Sequence, residues 1–244
     1  MNKTIHYIWL GYNPKSKLIQ KCIKSWKRYM PDWEIKEWNE SNLDINCNEY
    51  VKKAYSEKKY AFASDYFRFD ILSKYGGLYM DTDVEIVKPF EDLLVNSDCI
   101  VGFEYDKYHI APGLILFSSL PGNKFITEMR NSYLNLNFTR RANGIPLTIC
   151  ELTTEYLQGK GLVCNDSIQN VDGVTVYPST YFCPTNKEWS VQNFSDETRC
   201  VHHYSASWFD GRSMNLMLKR CLFKFIGPHG ISVLKRIRLL LKRK

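Results

Sequence analysis

KYAFASDYFRFDILSKYGGLYMDTDVEIVKP, residues 59–89, holds the pattern that decides the fold. From Tyr60 to Tyr75 the apolar residues Phe62, Tyr66, Phe69 and Leu72 recur at helical spacing, which predicts a helix with one buried stripe. Gly76 and Gly77 end it, because glycine just past the last turn takes the left-handed conformation that closes the carbonyl end. Leu78, Tyr79 and Met80 are too short a run for a second helix and predict a buried strand. Asp81, Thr82 and Asp83 fall where that strand leaves its sheet. Side chains two apart in an extended chain point the same way, so Asp81 and Asp83 are expected to offer two carboxylates to one small volume.

Two anions held that close repel unless something sits between them. A hard divalent cation with oxygen ligands, Mn²⁺ or Mg²⁺, suits the position, and such ions commonly also hold substrate phosphates. The run SDYFRFDILSKYGGLYMDTDVE resembles the signature of the DxD sugar transferases. These include the Golgi initiating mannosyltransferases and many bacterial capsule transferases, and are related to the clostridial glucosylating toxins. The resemblance covers most of residues 1 to about 210. It implies an α/β fold of the GT-A type, an open mixed sheet flanked by helices, with a divalent metal, a nucleotide-sugar donor and retention at the anomeric carbon.

The remaining composition agrees with a folded α/β chain. At 244 residues, with 44% hydrophobic and 14% aromatic content and no internal repeat, one domain is expected over residues 1–210, followed by a basic tail over 211–244. Eight scattered cysteines without a CxxC pair read as reduced thiols in a cytosolic protein. Neither a leader-like amino terminus nor a bilayer-length apolar run is evident. The net charge is +7, but residues 211–244 hold ten Lys or Arg and no acid, so the body before them is net acidic. That distribution argues against nucleic-acid binding, which favours a basic face on the folded body.

Taken in order, Thr4–Leu10 predicts the first strand, Ser16–Tyr29 an amphipathic helix, and Trp33–Trp38 the next strand. Residues 39–50 read as irregular or weakly helical and Val51–Glu57 as the start of another helix. Ligands of such sheets gather at the carboxyl ends of the strands, where Trp9 falls. Trp9 reads either as a core ring beneath the sheet or, by the resemblance, as the ring that stacks on the donor base. Asp65 and Arg68 stand three apart on one helical face and can pair. The resemblance assigns them to the donor's sugar hydroxyls or ribose, with Arg68 near the diphosphate. Asp70 reads as a surface residue.

Strands are expected at Val84–Val87, Asp98–Glu104 and Leu114–Phe117, with a helix over Phe125–Leu134. The loop 106–113, holding His109, Pro112 and Gly113, is a candidate wall of the acceptor pocket. Arg140–Leu152 resembles a family loop before a helix that continues over Thr153–Leu157, although Ile145 separates Gly144 from Pro146. Val174–Tyr177 predicts a late strand, and 181–189 an aromatic irregular segment.

RCVHHYSASW, residues 199–208, is the second informative run. Neutral imidazole is a good Mn²⁺ ligand. The resemblance places one of His202 and His203 on the metal or diphosphate, and Ser207 and Trp208 on the phosphates. Alternation turns one imidazole inward, and His203 is the favoured one. In the tail, Val233, Leu234, Ile237, Leu240 and Leu241 share one arc of a helical wheel opposite Lys235, Arg236, Arg238, Lys242 and Arg243. This predicts binding to an anionic membrane surface through residues 231–244, or packing of the apolar arc on the body.

The reading is therefore a metal-dependent retaining hexosyltransferase. It would use a UDP-sugar such as UDP-galactose, or GDP-mannose, and a polyprenyl-diphosphate-linked glycan in capsular or exopolysaccharide synthesis, at the inner face of the cell membrane. A phosphatase of the haloacid-dehalogenase type is disfavoured because Glu85 replaces the expected Thr or Val and its later acidic motif is missing. A non-catalytic glycan- or membrane-binding module is disfavoured by the intact Asp65, Arg68, Asp81 and Asp83.

Overall fold

A computed structural model describes residues 1–138, 147–186 and 192–205. Ser207, Trp208 and the basic tail lie outside the described residues, as do residues 140–146 of the loop that begins at Arg140.

The chain alternates strand and helix from the start: β1 (Thr4–Ile8), α1 (Lys17–Tyr29), β2 (Glu34–Trp38), α2 (Glu49–Ser56), α3 (Tyr60–Tyr75), β3 (Gly77–Tyr79) and β4 (Val84–Ile86). There follow α4 (Glu91–Leu94), β5 (Cys99–Gly102), β6 (Leu116–Ser118), α5 (Lys124–Ser132) and α6 (Ile149–Gln158). Last come β7 (Gln169–Val171), β8 (Val174–Tyr177), α7 (Ser179–Phe182) and β9 (Cys200–His202). Seven strands form one sheet in the order β2-β1-β3-β6-β5-β8-β7, while β4 and β9 pair apart from it. β1 runs parallel to β2 and β3, β6 is antiparallel to both its neighbours, and β5 is parallel to β8. This is the open mixed α/β sheet expected of a GT-A-type fold.

Alternation along the strands divides the core between the two faces. Ile5, Leu78, Ile100 and Phe117 pack on one side with Trp26, Phe90 and Phe182. Tyr79, Cys99, Val101 and Leu116 pack on the other with Phe67, Phe69 and Phe125.

Helix α3 has the expected bounds but not the expected single stripe. It lies between α2 and α5 over β1, so every residue from Phe62 to Leu72 except Ser64 is buried. Asp70 is buried as well, against the expectation of a surface position, and pairs with Lys74 Nζ at 2.6 Å. Gly76 and Gly77 have φ of +65° and +92°. A Cβ on Gly77 would come within 2.7 Å of the Thr4 carbonyl, so glycine is needed both for the turn and for β3 to dock on β1. His6 locks the junction: its Nε2 lies 3.0 Å from the Gly76 carbonyl, and its Nδ1 accepts from Trp38 Nε1 at 3.1 Å.

The strand expected after Asp83 forms, but outside the main sheet. β4 leaves it to pair with β9, with Val84 opposite His202 and Ile86 opposite Cys200. That small sheet brings the RCVHHY run beside the paired acids.

Candidate active site

A cavity of about 640 Å³ opens at the carboxyl ends of β1, β3 and β5, within the range of small-molecule sites. Trp9 reaches it from the end of β1, Asp65 and Arg68 from α3, Asp81 and Asp83 from beyond β3, and His202 and Tyr204 from β9 and its sequel.

Arg68 anchors the floor. One terminal nitrogen lies 2.8 Å from Asp65 Oδ1 and 3.4 Å from Asp81 Oδ1, and the guanidinium sits 4.8 Å from the centre of the Tyr79 ring. Tyr79 Oη donates to Asp81 Oδ1 at 2.9 Å. The Arg68 side chain is only 3% exposed. Burial alone would discharge it, but the carboxylates of Asp81 and Asp65 outweigh that cost and hold its pKa above the usual value. A positive charge is thus fixed directly behind the first acid of the DxD. Asp81 itself remains a third exposed on its side chain and faces the cavity.

The two acids reach the cavity by a different route from the one the strand pattern predicts. Residues 82 and 83 turn, and Val84 N donates to Asp81 O at 3.0 Å. The carboxylates therefore part to separate partners. Asp83 Oδ2 accepts from Ser205 N at 2.7 Å, and its Oδ1 lies 3.3 Å from His202 Nε2. Burial raises the Asp83 carboxyl, but His202 and the Ser205 N–H outweigh it and hold the pKa well below the ordinary range. Burial likewise pulls His202 down, while Asp83 lifts it to about 10.

Alternation does turn one imidazole inward, and it is His202 rather than the favoured His203. His203 Nε2 lies 2.8 Å from Glu85 Oε2, on a carboxylate also bound by Lys21 at 2.8 Å. Trp9 is not a core ring. It borders the cavity, its Nε1 donates to Asn13 O at 2.6 Å, and Lys15 Nζ lies 5.5 Å from its ring centre. From the loop 106–113, Gly113 lines the wall, and its carbonyl accepts from Asp81 N at 2.8 Å. Sequence reasoning missed Glu104, Cys150, Tyr204 and Ser205. For Glu104 a signal existed: it is an acid just beyond a buried strand, the same placement that drew attention to Asp81.

Asp81 and Asp83 offer hard oxygens to one cavity, and His202 would add an imidazole nitrogen on giving up the proton it shares with Asp83, a donor set that fits Mn²⁺ or Mg²⁺. Among the described residues, the group of three whose ligand atoms lie within 4.8 Å of one another is instead Glu104, Asp106 and His109. The DxD donors are held apart by their present bonds to Arg68, Tyr79 and Ser205.

Residues 16–100 match the family described as the glycosyltransferase sugar-binding region containing the DXD motif. The match covers about a third of the 244 residues, so the resemblance is to that region. The matched segment contains Asp65, Arg68, Asp81 and Asp83, whereas Trp9, Glu104 and His202 join the cavity from outside it. A curated relative, subversion of eukaryotic traffic protein A of Legionella pneumophila, is 26% identical over 38% of this chain. The chain spans only 18% of that relative's length. Among solved structures, PaToxG glycosyltransferase is 21% identical, with 66% of this chain and 69% of that one covered and a TM-score of 0.48. A glycosyltransferase involved in glycosylation of the major capsid of PBCV-1 is 15% identical, covering 87% of this chain and 98% of that one, with a TM-score of 0.43. The galactosyltransferase LgtC is 14% identical, covering 89% and 95%, with a TM-score of 0.38.

Proposed function

We propose that this chain transfers a hexose from a nucleoside diphosphate sugar to a glycan hydroxyl, with retention at the anomeric carbon. The observation that carries the reading is the meeting of Asp81, Asp83, Arg68 and His202 at one cavity with Trp9 at its rim. Asp81, Asp83 and His202 would hold a divalent cation, Mn²⁺ or Mg²⁺, which when bound offsets charge gathering on a departing diphosphate.

The protein's own groups divide the remaining work. Trp9 presents an accessible ring to the nucleotide base, a uridine by preference and a guanosine otherwise. Arg68 is fixed by Asp65, so its charge needs no rearrangement as the leaving group forms. Ser207 and Trp208 would cover the phosphates. A carbohydrate hydroxyl attacking from the side of departure gives retention without an enzyme nucleophile.

UDP-sugars, UDP-galactose among them, are the favoured donors, with GDP-mannose next. A polyprenyl-diphosphate-linked glycan of capsular or exopolysaccharide synthesis is the acceptor that best suits the basic run of residues 231–244. That run would hold the enzyme on the inner face of the cell membrane. No helix among the described residues is long and apolar enough to cross a membrane.

A donor screen with Mn²⁺ tests the reading, scoring nucleotide release by the native chain and by Asp83→Asn. Release from one donor that collapses in the variant supports it. Release from no donor, or release indifferent to the substitution, overturns it.

A further inference from the structure

We propose that Glu104 is a sugar-specificity residue: its carboxylate accepts a hydrogen bond from a hydroxyl of the donor's transferred sugar. The inference rests on the nucleotide-sugar reading above and assigns the far end of the same cavity.

Sheet order sets the layout. Trp9 extends β1, Asp81 follows β3, and Glu104 follows β5, with β3 and β6 lying between β1 and β5. Adjacent strands lie about 4.8 Å apart, so the β1 and β5 ends are roughly 14 Å apart with the DxD between them. A nucleoside diphosphate sugar is linear in the same sense: base, ribose, diphosphate, sugar. With the base at Trp9 and the diphosphate over Asp81 and Asp83, the sugar extends toward Glu104.

The cavity wall leads there through contacts. Asp83 meets His202, the His202 ring packs on Tyr204 with centroids 4.0 Å apart, and Tyr204 Oη lies 3.5 Å from Glu104 Oε1. Cys183 Sγ, 3.0 Å from the same Tyr204 oxygen, fixes the ring from behind.

Glu104 is also held in place. It is 9% exposed yet borders the cavity, and it starts a tight hairpin in which its N–H donates to His109 O at 2.7 Å. Asp106 accepts from the N–H groups of Tyr108 and His109 and from the His109 ring at 2.6 Å. Ile110 N ties the hairpin to α6 through Thr154 Oγ1 at 2.8 Å. A buried, preorganised carboxylate discriminates among sugars, because a donor lacking the matching hydroxyl forfeits a hydrogen bond to a charged group.

The test uses the native full chain and Glu104→Gln with Mn²⁺. UDP-glucose, UDP-galactose, UDP-N-acetylglucosamine and GDP-mannose are screened for nucleotide release, and affinity for UDP and GDP is measured by calorimetry. The expected result is a fall in turnover of roughly tenfold or more in the variant, the range of one hydrogen bond to a charged group, with nucleoside diphosphate affinity unchanged. Donors deoxyfluorinated at single positions, tested on the native chain, provide a readout that does not depend on the variant folding. One position should lose turnover in the native chain and show no further loss in Glu104→Gln. Native-like turnover in the variant, or indifference of the native chain to every deoxygenation, overturns the assignment while leaving nucleotide binding intact. Absence of Mn²⁺-dependent nucleoside diphosphate binding by the native chain overturns the nucleotide-sugar reading as well.

Discussion

A Cβ on Gly113 would lie 2.0 Å from Oδ2 of Asp81, and 2.9 Å from a terminal nitrogen of Arg68. The missing side chain of one turn residue is thus the space that the first DxD carboxylate occupies. Gly113→Ala should push Asp81 off Tyr79 and Arg68 while the backbone bond between the two residues persists. Donor turnover is expected to fall about a hundredfold, comparable to losing one electrostatic contact to a developing charge. Thermal melting should move only a few degrees. Turnover within a fewfold of the native chain would show that the Asp81 contacts are dispensable.

Arg68 belongs to a buried charge cluster, so its removal strands Asp65 without its cation. Arg68→Met is expected to cost about 3–5 kcal/mol of stability, as for other broken buried pairs. The simultaneous change Arg68→Met with Asp65→Leu should recover much of that loss and restore no activity. Urea unfolding of the single and double variants measures both outcomes. An additive loss in the double variant would contradict the coupling.

Stability should fall on mild acidification because of His6. Burial lowers its pKa from the usual 6.5 to about 4, as Nδ1 already accepts from Trp38 and has no room for a proton. Between those values the unfolded chain takes up a proton that the native chain refuses, so stability present above pH 6.5 is lost as pH falls toward 4. The contribution is about 3 kcal/mol. His6→Gln should be less stable at pH 7.5 and show a shallower loss down to pH 4.5. Urea midpoints at the two pH values give the comparison, and parallel slopes would remove His6 from the account.

Truncation at Gly227 tests the tail. Sedimentation with vesicles containing anionic lipid should lose the shortened chain, and with it sensitivity to added salt. Equal co-sedimentation of both lengths would place the membrane contact elsewhere or nowhere.

The helix of residues 60–75 and its glycine stop were legible because local periodicity and one special backbone conformation suffice to define them. Asp65 with Arg68, and the shared cavity of Asp81 and Asp83, could also be read. A turn, rather than the strand pleat, carries both acids to the cavity and leaves their carboxylates on separate partners. Period-two alternation relates His202 to His203 but carries no sign. Only the register of β4 against β9, a pairing across more than a hundred residues, sets which ring meets Asp83. Asp70 looked like a solvated acid because the packing of α2 and α5 on α3 is not written in the helix itself. Glu104 read only as the end of the strand Asp98–Glu104, since its place at the site comes from Tyr204, 100 residues away.

The β4–β9 ribbon also governs what happens to incomplete chains. A polypeptide ending before Arg199 would present Val84–Ile86 as a bare strand margin, with the Asp83 carboxylate stripped of His202 and Ser205. Such margins recruit other chains. Nascent or proteolysed fragments should therefore associate with one another through this border, making β9 a safeguard of solubility as much as a wall of the cavity.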